Sequence, residues 1–156
     1  MSMDRAVAYL DRHINLEATA GRVDGPSLEN MRLLMCALGD PQLDVPVIQV
    51  TGTNGKGSTS AMVAALLTAM GLKVGTYASP HVSSITERIQ SNGENIDPAE
   101  FAEVIALLEA AEPTLGHVPS WFELMTAAAY HWFADIAADV AVVEVGKLGR
   151  YDATSV

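Results

Sequence analysis

The sequence has one cysteine and few basic residues, and each scarcity excludes a class of protein. Cys36 has no second cysteine to pair with, so an intrachain disulfide framework is excluded. Its place in an apolar helical pattern predicts a buried core thiol and not a nucleophile. Lys and Arg total 9 against 19 Asp and Glu, for a formal net charge of −10. The chain therefore lacks the clustered positive charge that general binding to nucleic acid requires.

Long apolar runs are also missing. No run reaches the length of about 18 residues that a membrane span needs, so we predict no membrane-spanning segment. Residues 1–12 are charged and amphipathic, unlike a secretory signal, and we therefore expect a cytoplasmic protein. No H-x-x-x-H or C-x-x-C pattern occurs, which disfavours a zinc site. Hydrophobic residues still make up 49% of the 156 residues, enough for one domain with a packed core.

The most informative segment is the glycine-rich loop at 51–58, Thr-Gly-Thr-Asn-Gly-Lys-Gly-Ser. It follows a predicted strand and precedes a helix-compatible segment, the context in which backbone N–H groups and a helix N-terminus bind phosphate. Lys56 would reach the β- and γ-phosphates, and a loop hydroxyl would join a magnesium shell. We therefore predict a site for ATP and Mg²⁺. The predicted nucleotide contacts are Gly52, Thr53, Asn54, Gly55, Lys56, Gly57 and Ser58.

This loop departs from the common pattern G-x-x-x-x-G-K-[ST]. Val50 stands where the first glycine belongs, and Gly57 separates Lys56 from Ser58. A plain glycine-rich turn is the alternative interpretation. Composition argues against it, because the chain has three lysines and one of them lies between two glycines at a predicted helix start.

The order of elements predicts an α/β fold of three layers, with a parallel sheet and helices on both faces. The predicted strands are 45–51, 73–78 and 140–145, and the predicted helices are 2–12, 27–38, 58–70, 97–108 and 121–136. Residues 85–96 predict a β-hairpin with Asn92 and Gly93 at its tip. Ligands of such sheets bind beyond the carboxyl ends of the strands. The loop, the segment 79–81 and Glu144 all fall at such ends, so we expect them to converge.

Four ordered segments resemble one protein family. The loop at 51–58, with glycine after lysine, resembles the nucleotide loop of the folylpolyglutamate synthase/dihydrofolate synthase branch of the Mur ligase superfamily. Residues 77–81 (Tyr-Ala-Ser-Pro-His) and 86–89 (Thr-Glu-Arg-Ile) match that branch as well. So do 143–146 (Val-Glu-Val-Gly), which run into 149–154 (Gly-Arg-Tyr-Asp-Ala-Thr). With the N-terminal helices, the resemblance covers nearly the whole chain.

The resemblance implies a domain organisation. The fold would be the P-loop NTPase-like central ATPase domain of a Mur ligase, in truncated form. Residues 1–44 would form N-terminal helices that lead into it, and 45–156 would form the N-terminal part of the ATP-binding domain. Family members are much longer, with further strands, another metal-ligand histidine, adenine contacts and a C-terminal ligase domain. We expect this chain to be the N-terminal part of such a ligase and to be inactive alone.

The resemblance also implies a reaction of folate biosynthesis and one-carbon metabolism. ATP would phosphorylate the carboxylate of dihydropteroate or a folate, and the amine of L-glutamate would attack the acyl phosphate and release phosphate. Lys56 would be catalytic by stabilising charge. The complete protein would be a monomer that binds small molecules, with no nucleic acid or membrane partner. The sequence does not decide between addition of the first glutamate and chain extension.

Two other functions stay open. One is a nucleotide-binding chain or remnant without ligase activity. The other is a different Mur-type ligase, which joins amino acids to a cell-wall or polymer precursor. The Gly57 form of the loop and the segment 121–123 favour the folate branch.

Glu144 and Ser79 are the magnesium ligands that the resemblance implies. On the residues alone, a carboxylate near the end of an apolar strand needs a partner, and an ion pair with Arg150 is the alternative. Ser79 is otherwise a turn residue before Pro80. Magnesium keeps waters and phosphate oxygens in its shell, so two protein ligands are sufficient.

The resemblance places the pterin and pteroate contacts in two segments. These contacts are Trp121, Phe122, Glu123, Tyr151, Asp152 and Ala153. Aromatic residues at a helix start are otherwise core residues, and this alternative stays open. The turn at 24–27 is a further candidate for closing over the ligand. His81 is interpreted as a surface or supporting histidine, and Lys147 as a residue that perturbs the metal site or is simply exposed.

Overall fold

The computed structural model describes residues 1–15, 27–147 and 149–156. The helices in these ranges are α1 (Met3–Leu10), α2 (Glu29–Ala37), α3 (Lys56–Ala69), α4 (Pro98–Ala111) and α5 (Trp121–Asp135). The strands are β1 (Val47–Val50), β2 (Val74–Tyr77), β3 (Ile89–Ser91), β4 (Glu94–Asn95) and β5 (Val140–Glu144). Short 3₁₀ segments are Pro41–Leu43, Ile85–Arg88, Glu112–Thr114, Gly149–Tyr151 and Ala153–Ser155. The predicted turn at 22–26, and the candidate lid at 24–27 except for its last residue, lie outside the described residues.

The strands form one mixed sheet in the order β1-β5-β2-β3-β4. β1, β5 and β2 are parallel, as predicted, and β5 lies between the other two. β3 pairs antiparallel with β2 and β4 antiparallel with β3. The hairpin thus extends the parallel strands on one side. Its turn has φ of 49° at Asn92 and 84° at Gly93, the left-handed values that a two-residue hairpin loop requires.

Helices cover both faces of the sheet, which confirms the three-layer prediction. On one face α5 packs together with α1, α2 and α4 in the larger core. On the other face α3 packs on a smaller cluster built around Val74, Val140 and Val142. Every residue of β5 is buried, because this strand lies in the middle of the parallel part and is covered from both sides.

Three local predictions differ from the structure. Cys36 is exposed, because α2 turns Met31, Leu34 and Met35 into the core and leaves this thiol outside. α3 begins at Lys56 and not at 58, since Gly55 caps it in a left-handed conformation. The hairpin strands begin only at Ile89. The four residues before them form a 3₁₀ turn whose N-terminus is closed by a Ser84–Glu87 capping box.

Within the described residues, none of the helices combines the length and the apolar character needed to cross a membrane.

Candidate active site

The phosphate-loop candidate leads straight into the N-terminus of α3. Gly55 has φ of 77° and is the N-cap, and in the described structure no side chain caps this helix. The first N–H groups of a helix lack intrahelical partners and carry partial positive charge, so this end of α3 suits an anion. Lys56 is half-buried at the first helical position, and the flanking loop is exposed. The exposed predicted contacts are Gly52, Thr53, Asn54, Gly55, Gly57 and Ser58.

Two neighbouring strands, β5 and β2, carry the predicted metal ligands at the same edge of the sheet as this helix start, which follows β1. Glu144 ends β5 and is 6% exposed. The backbone N–H of Ser79, just after β2, donates to its Oε2 at 3.2 Å. A Cβ placed on Gly57 would lie 3.6 and 3.8 Å from the two carboxylate oxygens. Gly57 therefore keeps open the space between the loop and the carboxylate.

This arrangement fits a magnesium ion. Glu144 takes part in none of the ion pairs found among the described residues, so the alternative pairing with Arg150 is not seen there. One amide N–H at 3.2 Å is little compensation for a buried carboxylate, and a divalent cation would supply the rest. A carboxylate and a hydroxyl are the hard oxygen ligands that Mg²⁺ prefers. The described residues hold no group of three His, Cys, Asp or Glu for a metal, so phosphate oxygens and waters would complete the shell.

A second group of predicted residues comes together at Gly146, which lies two residues beyond Glu144 in the chain. A Cβ on Gly146 would lie 2.8 Å from Cζ of Phe122 and 3.0 Å from Oδ2 of Asp152. The rings of Phe122 and Tyr77 have centroids 6.0 Å apart. The structure thus brings together the helix start at 121–123 and the segment 151–153, which the resemblance assigns to substrate.

Asp152 organises the segment that carries it. Its Oδ2 accepts from the backbone N–H of Lys147 at 2.9 Å. Its Oδ1 accepts from the backbone N–H and the hydroxyl of Thr154 at 3.2 and 2.7 Å. Tyr130 donates its hydroxyl to the carbonyl of Thr154 at 2.8 Å. Burial, together with the negative charge of Asp152, raises the pKa of Tyr130 well above its ordinary value, so this phenol stays a donor.

Tyr151 is 46% exposed, whereas Asp152 and Ala153 are buried. Tyr151 therefore offers the accessible ring of this segment. Lys147 is exposed, and the effect of its side chain on a metal stays a prediction.

Trp121 and Glu123 have structural contacts of their own. Trp121 is 3% exposed, which agrees with the alternative that it is a core residue. Glu123 accepts at one oxygen from the backbone N–H and the hydroxyl of Ser120, at 2.7 and 2.8 Å, and completes a capping box at the start of α5. Phe122, between them, is the residue that reaches Gly146. The roles of all three toward a ligand stay predictions.

The loop between β2 and β3 holds two residues whose contacts the sequence analysis did not predict. Glu87 accepts backbone N–H groups from Val82, Ser83 and Ser84 at 2.8, 3.1 and 2.9 Å. Those hydrogen bonds lower the pKa of its carboxyl. Arg88 is buried beside His81 and Trp121. The pattern Ser-x-x-Glu at 84–87 was the available signal for the capping box. No local sequence pattern predicted the contacts of Arg88.

No protein-family model matches the chain. It is 44% identical over 146 residues to the dihydrofolate synthase/folylpolyglutamate synthase of Mycobacterium tuberculosis, a match that covers 86% of this chain and 30% of that protein. It is 37% identical over 161 residues to the folylpolyglutamate synthase of Lacticaseibacillus casei, covering 100% of this chain and 36% of that one. The chain is homologous to the N-terminal part of folylpolyglutamate and dihydrofolate synthases.

Solved structures of these synthases share the fold. The folylpolyglutamate synthase of Mycobacterium tuberculosis in complex with ADP superposes with a TM-score of 0.87 at 39% identity, covering 97% of this chain and 34% of that one. An FPGS–AMPPCP–folate complex gives 0.90 at 35% identity, covering 100% and 38%. The chain thus spans about a third of the length of the synthases that it matches.

Proposed function

We propose that this chain supplies the nucleotide- and metal-binding part of an ADP-forming ligase that adds L-glutamate to dihydropteroate or folates. The observation that carries the proposal is the approach of Glu144 to the backbone N–H of Ser79 and to Gly57, the residue after Lys56, at the carboxyl ends of three parallel strands. The names of the relatives and the nucleotide and folate in their structures support the same reaction.

The phosphate side works mainly by placing charge. The N-terminus of α3 and the ammonium of Lys56 would bind the β- and γ-phosphates and stabilise negative charge as the γ-phosphoryl group moves to a substrate carboxylate. Glu144 and Ser79 would hold Mg²⁺, which when bound neutralises phosphate charge. Gly57 keeps the carboxylate of Glu144 accessible from the loop. The resulting acyl phosphate is then open to the amine of glutamate, and no covalent enzyme nucleophile is needed.

The substrate side begins at Gly146. Phe122 would offer a ring for stacking against a pterin. Tyr151, the residue before Asp152, would offer a second ring, which is exposed. Trp121, the residue before Phe122, is buried in the core, and the Glu123 and Asp152 carboxylates hold their own segments in place. The pteroate carboxylate would then point from this group toward Glu144, two residues back along the chain.

A nucleotide-binding chain without ligase activity is the second candidate, since the helix start at Lys56 needs no further residues to bind a phosphate group. The folate-synthase names of the relatives favour the folate branch over another Mur-type ligase. A cytoplasmic location, a monomeric state and the binding of Mg²⁺ itself stay predictions.

The deciding experiment joins this chain to the remaining part of the Mycobacterium tuberculosis relative. We expect the chimera to release ADP from MgATP when dihydropteroate or a folate and glutamate are present, and not with UDP-linked precursors. The 156-residue chain alone should bind MgADP only weakly and release no ADP from ATP above background. Orientation of two substrates contributes roughly 7–11 kcal/mol, which part of a site cannot supply. A chimera that folds and binds nucleotide but ligates nothing would overturn the ligase proposal.

A further inference from the structure

Arg88 is a buried cation at the junction of the two sides of the site. The residue is 3% exposed, although it directly precedes β3 at the end of a surface loop. Its Nε donates to Nδ1 of His81 at 2.8 Å. Its guanidinium carbon lies 4.6 Å from the ring centroid of Trp121. Burial of a guanidinium is costly without such partners, so this position is held by specific contacts and not by chance.

The hydrogen bond to His81 fixes the tautomer of that imidazole. An arginine Nε–H can only donate, so Nδ1 of His81 must be the accepting nitrogen. The neutral ring therefore carries its proton on Nε2 and donates from there. His81 lies two residues beyond Ser79, whose backbone N–H binds Glu144. Arg88 thus contacts the segment that begins at Ser79, one of the two predicted metal ligands.

The contact with Trp121 connects the same cation to the aromatic side. Trp121 is the first residue of α5, and the next residue is Phe122, whose ring lies against Gly146. A guanidinium within about 6 Å of an indole centroid is attracted by the ring, and burial strengthens this attraction. Glu87 keeps the rest of the loop folded by accepting three backbone N–H groups. One side chain therefore contacts both the metal-side segment and the start of the substrate-side helix.

We propose that Arg88 is a positioning residue, which holds the 79–81 segment against the start of α5 and fixes His81 with its proton on Nε2. The effect of this on catalysis rests on the function proposed above, whereas the tautomer and the contact with Trp121 do not. Arg88→Lys is the discriminating substitution for these two contacts. Lysine keeps the charge, but its side chain has no N–H group at the position of the arginine Nε and no planar group that can lie on the indole.

The test compares wild type with Arg88→Lys in nitrogen-15 NMR spectra of the complete 156-residue chain. The His81 ring signals are assigned by their loss in His81→Gln, and the Trp121 indole N–H by its loss in Trp121→Phe. We expect the wild-type ring to show the Nε2-protonated pattern, and Arg88→Lys to lose this pattern and to shift the Trp121 signal. Arg5→Lys is the matched control, because Arg5 pairs with Glu109 through an exposed side chain away from this loop.

The second readout is the affinity for ADP with and without Mg²⁺. Arg88→Lys should weaken MgADP binding about tenfold, of the order of one charge-assisted contact, because the segment carrying Ser79 loosens. ADP affinity without the metal should stay unchanged, since it depends on the loop and α3. A general loss of structure would lower both affinities together with the melting temperature.

A wild-type His81 ring protonated on Nδ1 would overturn the proposal, as would an Arg88→Lys protein with unchanged ring signals and unchanged MgADP affinity. If Arg88→Lys does not fold, the wild-type spectrum still decides the tautomer, and His81→Gln should lower MgADP affinity selectively. If the wild type binds no ADP while Arg88 sets the tautomer, the proposed function fails and the positioning role stands.

Discussion

The backbone N–H of Ser79 donates to Oε2 of Glu144 at 3.2 Å, and this contact joins the ends of two neighbouring parallel strands. The contact uses the main chain of Ser79, so its hydroxyl is not needed for it. It also leaves most of the acceptor capacity of a buried carboxylate for another partner. The two residues are thereby placed together before any ion binds, which reduces the cost of ordering the site.

Lys56→Ala should weaken binding of MgADP by about tenfold or more, since a charge-assisted contact with phosphate is lost. The circular dichroism spectrum should not change, because the side chain is half-buried at a helix start and has no core role. Calorimetry measures the affinity. Lys73→Ala is the matched control, since Lys73 donates to the carbonyl of Ile136 at the opposite end of β2. Equal affinities for wild type and Lys56→Ala would exclude the phosphate-loop role.

Glu144→Gln should weaken the magnesium-dependent part of nucleotide affinity more than Ser79→Ala does. The glutamine keeps an oxygen that accepts from Ser79 but loses the formal charge, whereas Ser79→Ala keeps the backbone N–H and loses one hydroxyl. A magnesium titration beside a melting curve makes the comparison. If Glu144→Gln lowers the melting temperature and leaves the magnesium dependence intact, the carboxylate has a structural role only.

Gly146→Ala should displace Phe122 and Asp152, because the new Cβ would lie 2.8 and 3.0 Å from their side-chain atoms. We expect a loss of about 1–3 kcal/mol in the free energy of unfolding, as for other overpacked sites. The change in Phe122 should also weaken binding of dihydropteroate to the chimera. Gly75→Ala is the control, since its Cβ would lie 2.5 Å from Phe133 in the core under β2. It should destabilise the chain without a selective effect on that ligand, and an equal loss of ligand affinity in both variants would contradict the assignment of Phe122.

Glu87→Gln should remove part of the acid sensitivity of the fold. Backbone hydrogen bonds hold the pKa of Glu87 below its ordinary value of 4.5 in the folded chain. A lowered folded-state pKa stabilises the fold above the unfolded-state value, and this contribution is lost as pH falls through the folded-state value. Wild type should therefore melt higher than Glu87→Gln at neutral pH, and the two curves should converge on the acid side of 4.5. A constant difference across this range would show that the charge of Glu87 is not involved.

Local signals predicted the helices and strands that carry the candidate site. The apolar runs marked the parallel strands, and the Asn92-Gly93 pair marked the hairpin tip, because both depend on neighbours in the sequence. The prediction that Cys36 is buried was wrong, because an apolar stripe does not define how wide the covered face of a helix is. The contact between Arg88 and Trp121 joins residues far apart in the chain, and no periodicity reports such a pair.

The end of one strand and the two residues after it connect the two sides of the candidate site. Glu144 ends β5 and contacts Ser79, and Gly146 follows two residues later against Phe122 and Asp152. Two residues of chain span at most about 7 Å, so the backbone sets an upper limit on the distance between Glu144 and Gly146. Under the proposed function, changes in the loops would alter which ring is accepted but would hardly change its distance from the ion. Substrate preference in proteins built on this strand should therefore diverge through the identity of side chains around Gly146, while the reach from ring to reacting carboxylate stays constant.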